Sequence, residues 1–163
     1  MARRPMQPSV AWLLISGAVG LSACGGTQQG GSTAVETSAG VPASTVGVTL
    51  QEWAVVPDAD SVAAGPVSFS VTNKGPEDVH EFVILRTDLD PGALPTDETA
   101  AVSEDAEGME VVEEIEDVAV GATEEVTATL TAGKYVLLCN VYSAEEQEAH
   151  YQLGMRIPFT VTE

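Results

Sequence analysis

Two histidines, two cysteines and four methionines are all the soft or imidazole donors that the 163-residue chain offers a metal ion. Four of them fall into a suggestive order. Cys139 closes an apolar run, His150 follows eleven positions later and Met155 five after that, while His80 opens another apolar run about 60 residues upstream. A thiolate, two imidazoles and a thioether are the donors of a His₂Cys-plus-Met copper site. The thiolate and imidazoles form a strong trigonal set for copper in either oxidation state. A weak, distant Met sulfur completes a geometry that both Cu(I) and Cu(II) tolerate, so electron transfer rearranges little. Zinc suits the set poorly, because Met is a reluctant zinc ligand. The same small counts exclude a disulfide-dense scaffold, a Cys-rich zinc module and any site needing three histidines. Met109 has no ligand-like neighbours and reads as packing.

The elements that must carry these residues read as strands. Apolar residues alternate with period two over Val46–Trp53, Val67–Val71 and Val126–Leu130, the pattern of strands with one face buried. His80–Leu85 and Lys134–Cys139 are denser, as for strands covered on both sides. Ile157–Val161 closes the chain, and Pro158 places it at an edge or a strand start. Gly- and Pro-bearing turns at 64–66, 73–76, 90–92, 120–122 and 132–133 separate them. About seven short strands punctuated this way predict an all-β fold, a two-sheet β-sandwich with Greek-key connections. Residues 88–108 break the rhythm as a long acidic loop, with a helical turn expected at Thr99–Glu104.

The N-terminal segment reads differently. Arg3 and Arg4 precede the apolar run Val10–Leu21, too short for a spanning helix and flanked like a signal peptide. Leu21-Ser22-Ala23-Cys24 then resembles the lipobox of bacterial lipoproteins, which predicts cleavage after residue 23 and lipidation of Cys24. Pro5 and Gln7 stand where a twin-arginine signal wants apolar residues, which favours the general export route. Residues 24–45, rich in Gly, Ser, Thr and Gln, read as a tether with a reach of roughly 25 Å. The folded domain is expected over 46–163. Losing residues 1–23 moves the formal charge from −19 to −21, which repels phosphate backbones and anionic headgroups, so nucleic acid is excluded and membrane contact is expected through the lipid alone. With Cys24 lipidated, Cys139 is left without a disulfide partner in an oxidising compartment.

Over 46–163 the sequence resembles the cupredoxin, or type 1 (blue) copper, family. The most specific pieces are Gly133–Asn140, His150–Met155, and Asn73-Lys74-Gly75 leading to His80-Glu81-Phe82. In that family the first His opens a strand after an Asn-x-Gly turn. Its Cys ends the penultimate strand, and the second His and the Met lie on the loop into the last one. The resemblance thus implies a cupredoxin-like sandwich holding one type 1 copper, with His80, Cys139, His150 and Met155 as ligands. The departure is the ten residues between Cys139 and His150, where many small cupredoxins have two to four; Tyr142–Ala149 reads as an insertion. Copper nitrite reductases and multicopper oxidases need further histidines that the chain lacks.

Around the ligands, Asn140 either fixes its loop, donates a hydrogen bond near the sulfur, or simply forms a turn. Glu81 stands where relatives often carry an Asn that ties the two ligand segments together, so that bridge is altered or absent. Tyr151 and Leu153 are candidates for an apolar rim around the His150 edge, and Trp53 reads as core. Glu145, Glu146 and Glu148, inside the ligand loop, are candidates for steering a basic partner. The expectation is a monomeric electron carrier, not an enzyme. It would be anchored by lipid on the extracytoplasmic face of a bacterial cell membrane and exchange electrons with a cytochrome, oxidase or reductase. The rival expectation is a copper-delivery lipoprotein that holds Cu(I) without cycling.

Overall fold

The structure, a computed structural model, describes residues 44–163. The expected signal peptide, Cys24 and the tether up to residue 43 lie outside the described residues. Val46, Val48 and Leu50 are buried while their neighbours are not, and this alternation sets strand β1 (Ser44–Gln51). The strand begins two residues before the expected domain boundary: Ser44 and Thr45 pair with Val67 and Ser68. Backbone pairing makes no demand on side-chain polarity, so a strand can extend past its apolar stretch.

The order continues with β2 (Ala54–Pro57), β3 (Ser61–Ala63), β4 (Gly65–Asn73), β5 (His80–Thr87), β6 (Met109–Val118), β7 (Thr123–Leu130) and β8 (Gly133–Leu138). It ends with β9 (Tyr142–Ser143), β10 (Glu148–Ala149), the single-turn helix α1 (His150–Leu153) and β11 (Arg156–Thr162). One sheet has the order β2-β1-β4-β7 and the other β3-β11-β8-β5-β6. Two pairings, β1 with β4 and β3 with β11, are parallel, and the remaining ones are antiparallel. The fold is the expected all-β two-sheet sandwich. Gly65, at φ +135°, sits where the chain leaves β3 in one sheet for β4 in the other, a backbone conformation that Gly adopts without a steric penalty.

Between the sheets lies one apolar core, in which Phe69 packs against Phe82 and Phe159 at centroid separations of 5.6 and 6.0 Å. Cys139 and Met155 belong to this core. A second cluster covers the outer face of β5 and β8: Val83, Leu85, Val136 and Leu138 pack with Leu94, Val102 and Tyr151. This explains why those strands are apolar on both faces. The long segment between β5 and β6 is their cover, and burying such side chains contributes about 1.5–3 kcal/mol each. The helical turn expected at Thr99–Glu104 does not form. Asp97 Oδ1 accepts both the N–H and the hydroxyl of Thr99, at 2.7 and 2.6 Å, and Thr96 bridges to Val102 instead. Pro158 fits its strand because β3 joins β11 only from Thr160 onward, leaving one side of β11 open at the proline. Among the described residues, no helix is long and apolar enough to cross a membrane.

Candidate metal centre

Three separate devices deliver the donor residues to one end of the core. His80 is the first residue of β5, and the turn before it is built on the buried Asn73. The Asn73 amide donates to the carbonyls of Asp78 and Val118 at 2.8 and 2.9 Å, and its Oδ1 accepts the Gly75 N–H at 2.8 Å. Cys139 directly follows β8, where its N–H donates to the Met155 carbonyl at 3.0 Å. The inserted residues after Cys139 pair with themselves: Tyr142 with Ala149 and Ser143 with Glu148. This ribbon spans the ten-residue gap, and the His150 N–H then donates to the Val141 carbonyl at 2.9 Å. The Met155 N–H closes the set on the His150 carbonyl at 3.1 Å.

His80, Cys139 and His150 converge as fully buried neighbours. The two Nδ1 atoms are 3.2 Å apart, and Cys139 Sγ lies 3.4 Å from His150 Nδ1 and 3.9 Å from His80 Nδ1. A point equidistant from all three is about 2.0 Å from each, an ordinary metal–imidazole distance and slightly short for a metal–thiolate bond. The triangle therefore fits a single metal ion, and its N₂S composition fits a type 1 copper. Met155 is fully buried in the same core cluster as Cys139.

Burial also sets the protonation of these groups. It pushes the Cys139 thiol up to about 11, against the opposing pull of the Glu81 and Val141 N–H groups; the Glu81 N–H lies 3.3 Å from Sγ. Burial holds both histidines below their ordinary value, and for His80 the proximity of His150 adds to it. Neutral imidazoles are what metal ligation requires, whereas the thiol must lose its proton on binding.

The neighbouring residues divide clearly. Asn140 fixes a loop: its Oδ1 accepts the Val102 N–H at 2.6 Å, and its amide donates to the Val102 carbonyl at 3.0 Å and to Glu104 at 2.8 Å. Glu81 reaches the sulfur through its backbone, while its carboxyl is raised to about 7 by burial and by Glu104 and Glu114. Tyr151 does not form a rim. It is 2% exposed, and its hydroxyl accepts the Leu94 N–H at 3.0 Å and donates to the Pro91 carbonyl at 2.9 Å. An aromatic ring on α1 finds more apolar surface under the long loop than at the surface. Leu153 is exposed, as are Glu145 and Glu146, while Glu148 is half-buried.

Two residues belong to the site without having been expected there. Trp53, half-buried, stands edge-on to the His150 ring at 4.9 Å. Gly154, at φ +125°, lets the chain pass close: a Cβ there would lie 3.1 Å from the Trp53 carbonyl. Glu52 places Oε1 3.8 Å from His80 Nε2. The presence of a single aromatic at the end of β1 hinted at Trp53; nothing distinguishes Glu52 from the other acidic residues of the sequence.

No family model matches the sequence, and no curated protein matches it. Among solved structures, the chain is similar to sodium-dithionite-reduced auracyanin from the photosynthetic bacterium Roseiflexus castenholzii. That match has a TM-score of 0.53 and 20% identity, and it covers 76% of this chain and all of the other. It is also similar to auracyanin B, with a TM-score of 0.51 and 23% identity over 76% of this chain and 92% of that one. The shared feature is the fold: the described residues form a cupredoxin-type β-sandwich.

Proposed function

We propose that this cupredoxin-fold chain is a type 1 copper protein that carries electrons between extracytoplasmic redox partners, anchored through lipid on Cys24. The observation that supports it most is the buried triangle of His80 Nδ1, Cys139 Sγ and His150 Nδ1. These three residues would hold the metal, with Met155 as the weak fourth ligand. Bound there, copper supplies a one-electron Cu(II)/Cu(I) couple.

The residues of the chain do the rest. Cys139 gives up its proton on loading, so uptake is favoured as pH rises. The Glu81 N–H, 3.3 Å from Sγ, donates toward the thiolate and stabilises it. The Asn73 turn, the Cys139–Met155 backbone bond and the His150–Val141 bond hold the donors from three sides. Donors fixed this way keep their separation whichever charge they face, which keeps the reorganisation on electron transfer small. His150 is 1% exposed, and the half-buried Trp53 ring against it is the side from which we expect partners to exchange electrons. Glu145 and Glu146 beyond the ribbon would guide a basic partner there. The protein is then a carrier without a substrate of its own.

The test is the visible spectrum of the Cu(II)-loaded chain beside Cys139→Ser. An intense thiolate-to-copper band in the parent, absent from the variant, is the expected outcome. A colourless parent that retains Cu(I) would replace the carrier reading with copper delivery.

A further inference from the structure

Behind the donor triangle, the far edge of the His80 ring meets an acidic group in an unusual setting. Glu52 follows β1, and its Oε1 accepts the backbone N–H groups of Asp78 at 3.0 Å and Glu77 at 3.3 Å. These two bonds fix the carboxylate against the turn that delivers His80. The carboxylate's second oxygen, Oε2, and the Nε2 of His80 are each buried, and neither has a hydrogen-bond partner among the described residues. One is an acceptor and the other carries a proton whenever Nδ1 is bare. The carboxylate faces the ring edge, and of its two oxygens Oε1 lies 3.8 Å from Nε2. A closure of about 1 Å brings the pair to hydrogen-bond length. Space for the carboxylate is reserved by Gly75, since a Cβ there would stand 2.5 Å from both carboxylate oxygens. Burial pushes the Glu52 carboxyl up, but the N–H groups of Asp78, Glu77 and Glu52 itself, with His80, hold it below the usual value. The group therefore stays a carboxylate at neutral pH.

We propose that Glu52 is a positioning residue for His80, taking up its Nε2–H so that Nδ1 stays bare and turned toward Cys139. Its metal-related half rests on the function proposed above; its tautomer half does not. Orienting partners of this kind fix the tautomer and raise the basicity of a ligating imidazole. A fixed negative charge behind the ring also stabilises the more positive oxidised centre, so removing it favours reduction.

The test has two arms, both on the full-length protein. In the first, long-range ¹H–¹⁵N correlation on the copper-free protein reads the His80 tautomer at neutral pH. A parent with Nε2 protonated and Nδ1 bare, and Glu52→Ala with the two forms averaged, is the expected result. A parent His80 that is itself averaged, or protonated at Nδ1, overturns the proposal without any variant having to fold. In the second, Glu52→Gln keeps an acceptor oxygen but removes the charge. Its copper centre should be at least tenfold more reduced than the parent's at a fixed ambient potential, a rise of about 59 mV for one electron. An unchanged potential overturns the charge role. A chain that binds no copper would refute the function reading, and the first arm would still decide the tautomer.

Discussion

Asn140 separates two roles that its position beside Cys139 leaves open. All of its side-chain hydrogen bonds go to Val102 and Glu104, so it anchors the long loop rather than tuning the sulfur. Asn140→Ala should lower the unfolding free energy by about 1–3 kcal/mol in urea titrations, because the buried Val102 groups lose their partner. The thiolate-to-copper band should keep its position; a marked shift would show that the amide acts on Sγ after all. The contrast with Glu52 explains what a sequence displays at such places. Cys139, His80 and His150 stand out because their residue types are rare in this chain and their order is informative. Glu52 is one of 25 acidic residues, and only its distance from His80 across the fold, together with the missing Cβ of Gly75, makes it part of the site.

Between Cys139 and His150, the β9–β10 ribbon shows how a long insertion leaves a ligand loop intact. Tyr142 and Ala149 pair at its base, so whatever lies beyond them starts and ends at nearly the same place. Replacing the tip, Ala144–Gln147, with Asn-Gly should close Ser143 onto Glu148 in a two-residue hairpin. Circular dichroism and the copper band of that variant should match the parent, and a lost band would mean that the tip itself positions His150. Similar reasoning accounts for what the apolar pattern did and did not reveal. β1, β4 and β7 were legible through alternation, whereas β6, the longest strand, was not, because its acidic sequence follows no period of two. With four and three residues, β2 and β3 are too short to establish a period. The density of His80–Leu85 and Lys134–Cys139 announced a cover, but its anchors, Leu94 and Val102, are single apolar residues in an acidic stretch. Tyr151 was legible as part of the site loop, yet its direction depends on a contact with Pro91 and Leu94 about 60 residues away.

Charge acts over the entire surface. Residues 44–163 contain 24 acidic side chains against Lys74, Arg86, Lys134 and Arg156, and the ion pairs Arg86–Glu110 and Lys134–Asp88 occupy two of those cations. Electron exchange with a basic cytochrome should therefore slow roughly tenfold or more as salt is raised from about 0.01 to 0.15 M. Glu145→Gln with Glu146→Gln should flatten that dependence in stopped-flow rates, and a rate indifferent to salt in the parent would remove steering from the account. The same acidity has a consequence for how copies of the protein tolerate one another. β6 and β7 are outer strands of their sheets. Along β6 stand Glu110, Glu113, Glu114, Glu116 and Asp117, and its pairing with β5 shifts register twice; β7 carries Glu124 and Glu125. An open sheet edge is a template for aggregation. Here both edges meet their copies with like charge, and β6 adds an irregular backbone, so edge-to-edge association is opposed at neutral pH. On β6, burial and the neighbouring charges of Glu104, Glu116 and Glu113 raise the Glu114 carboxyl, so this part of the protection is lost at a higher pH than an ordinary glutamate would allow.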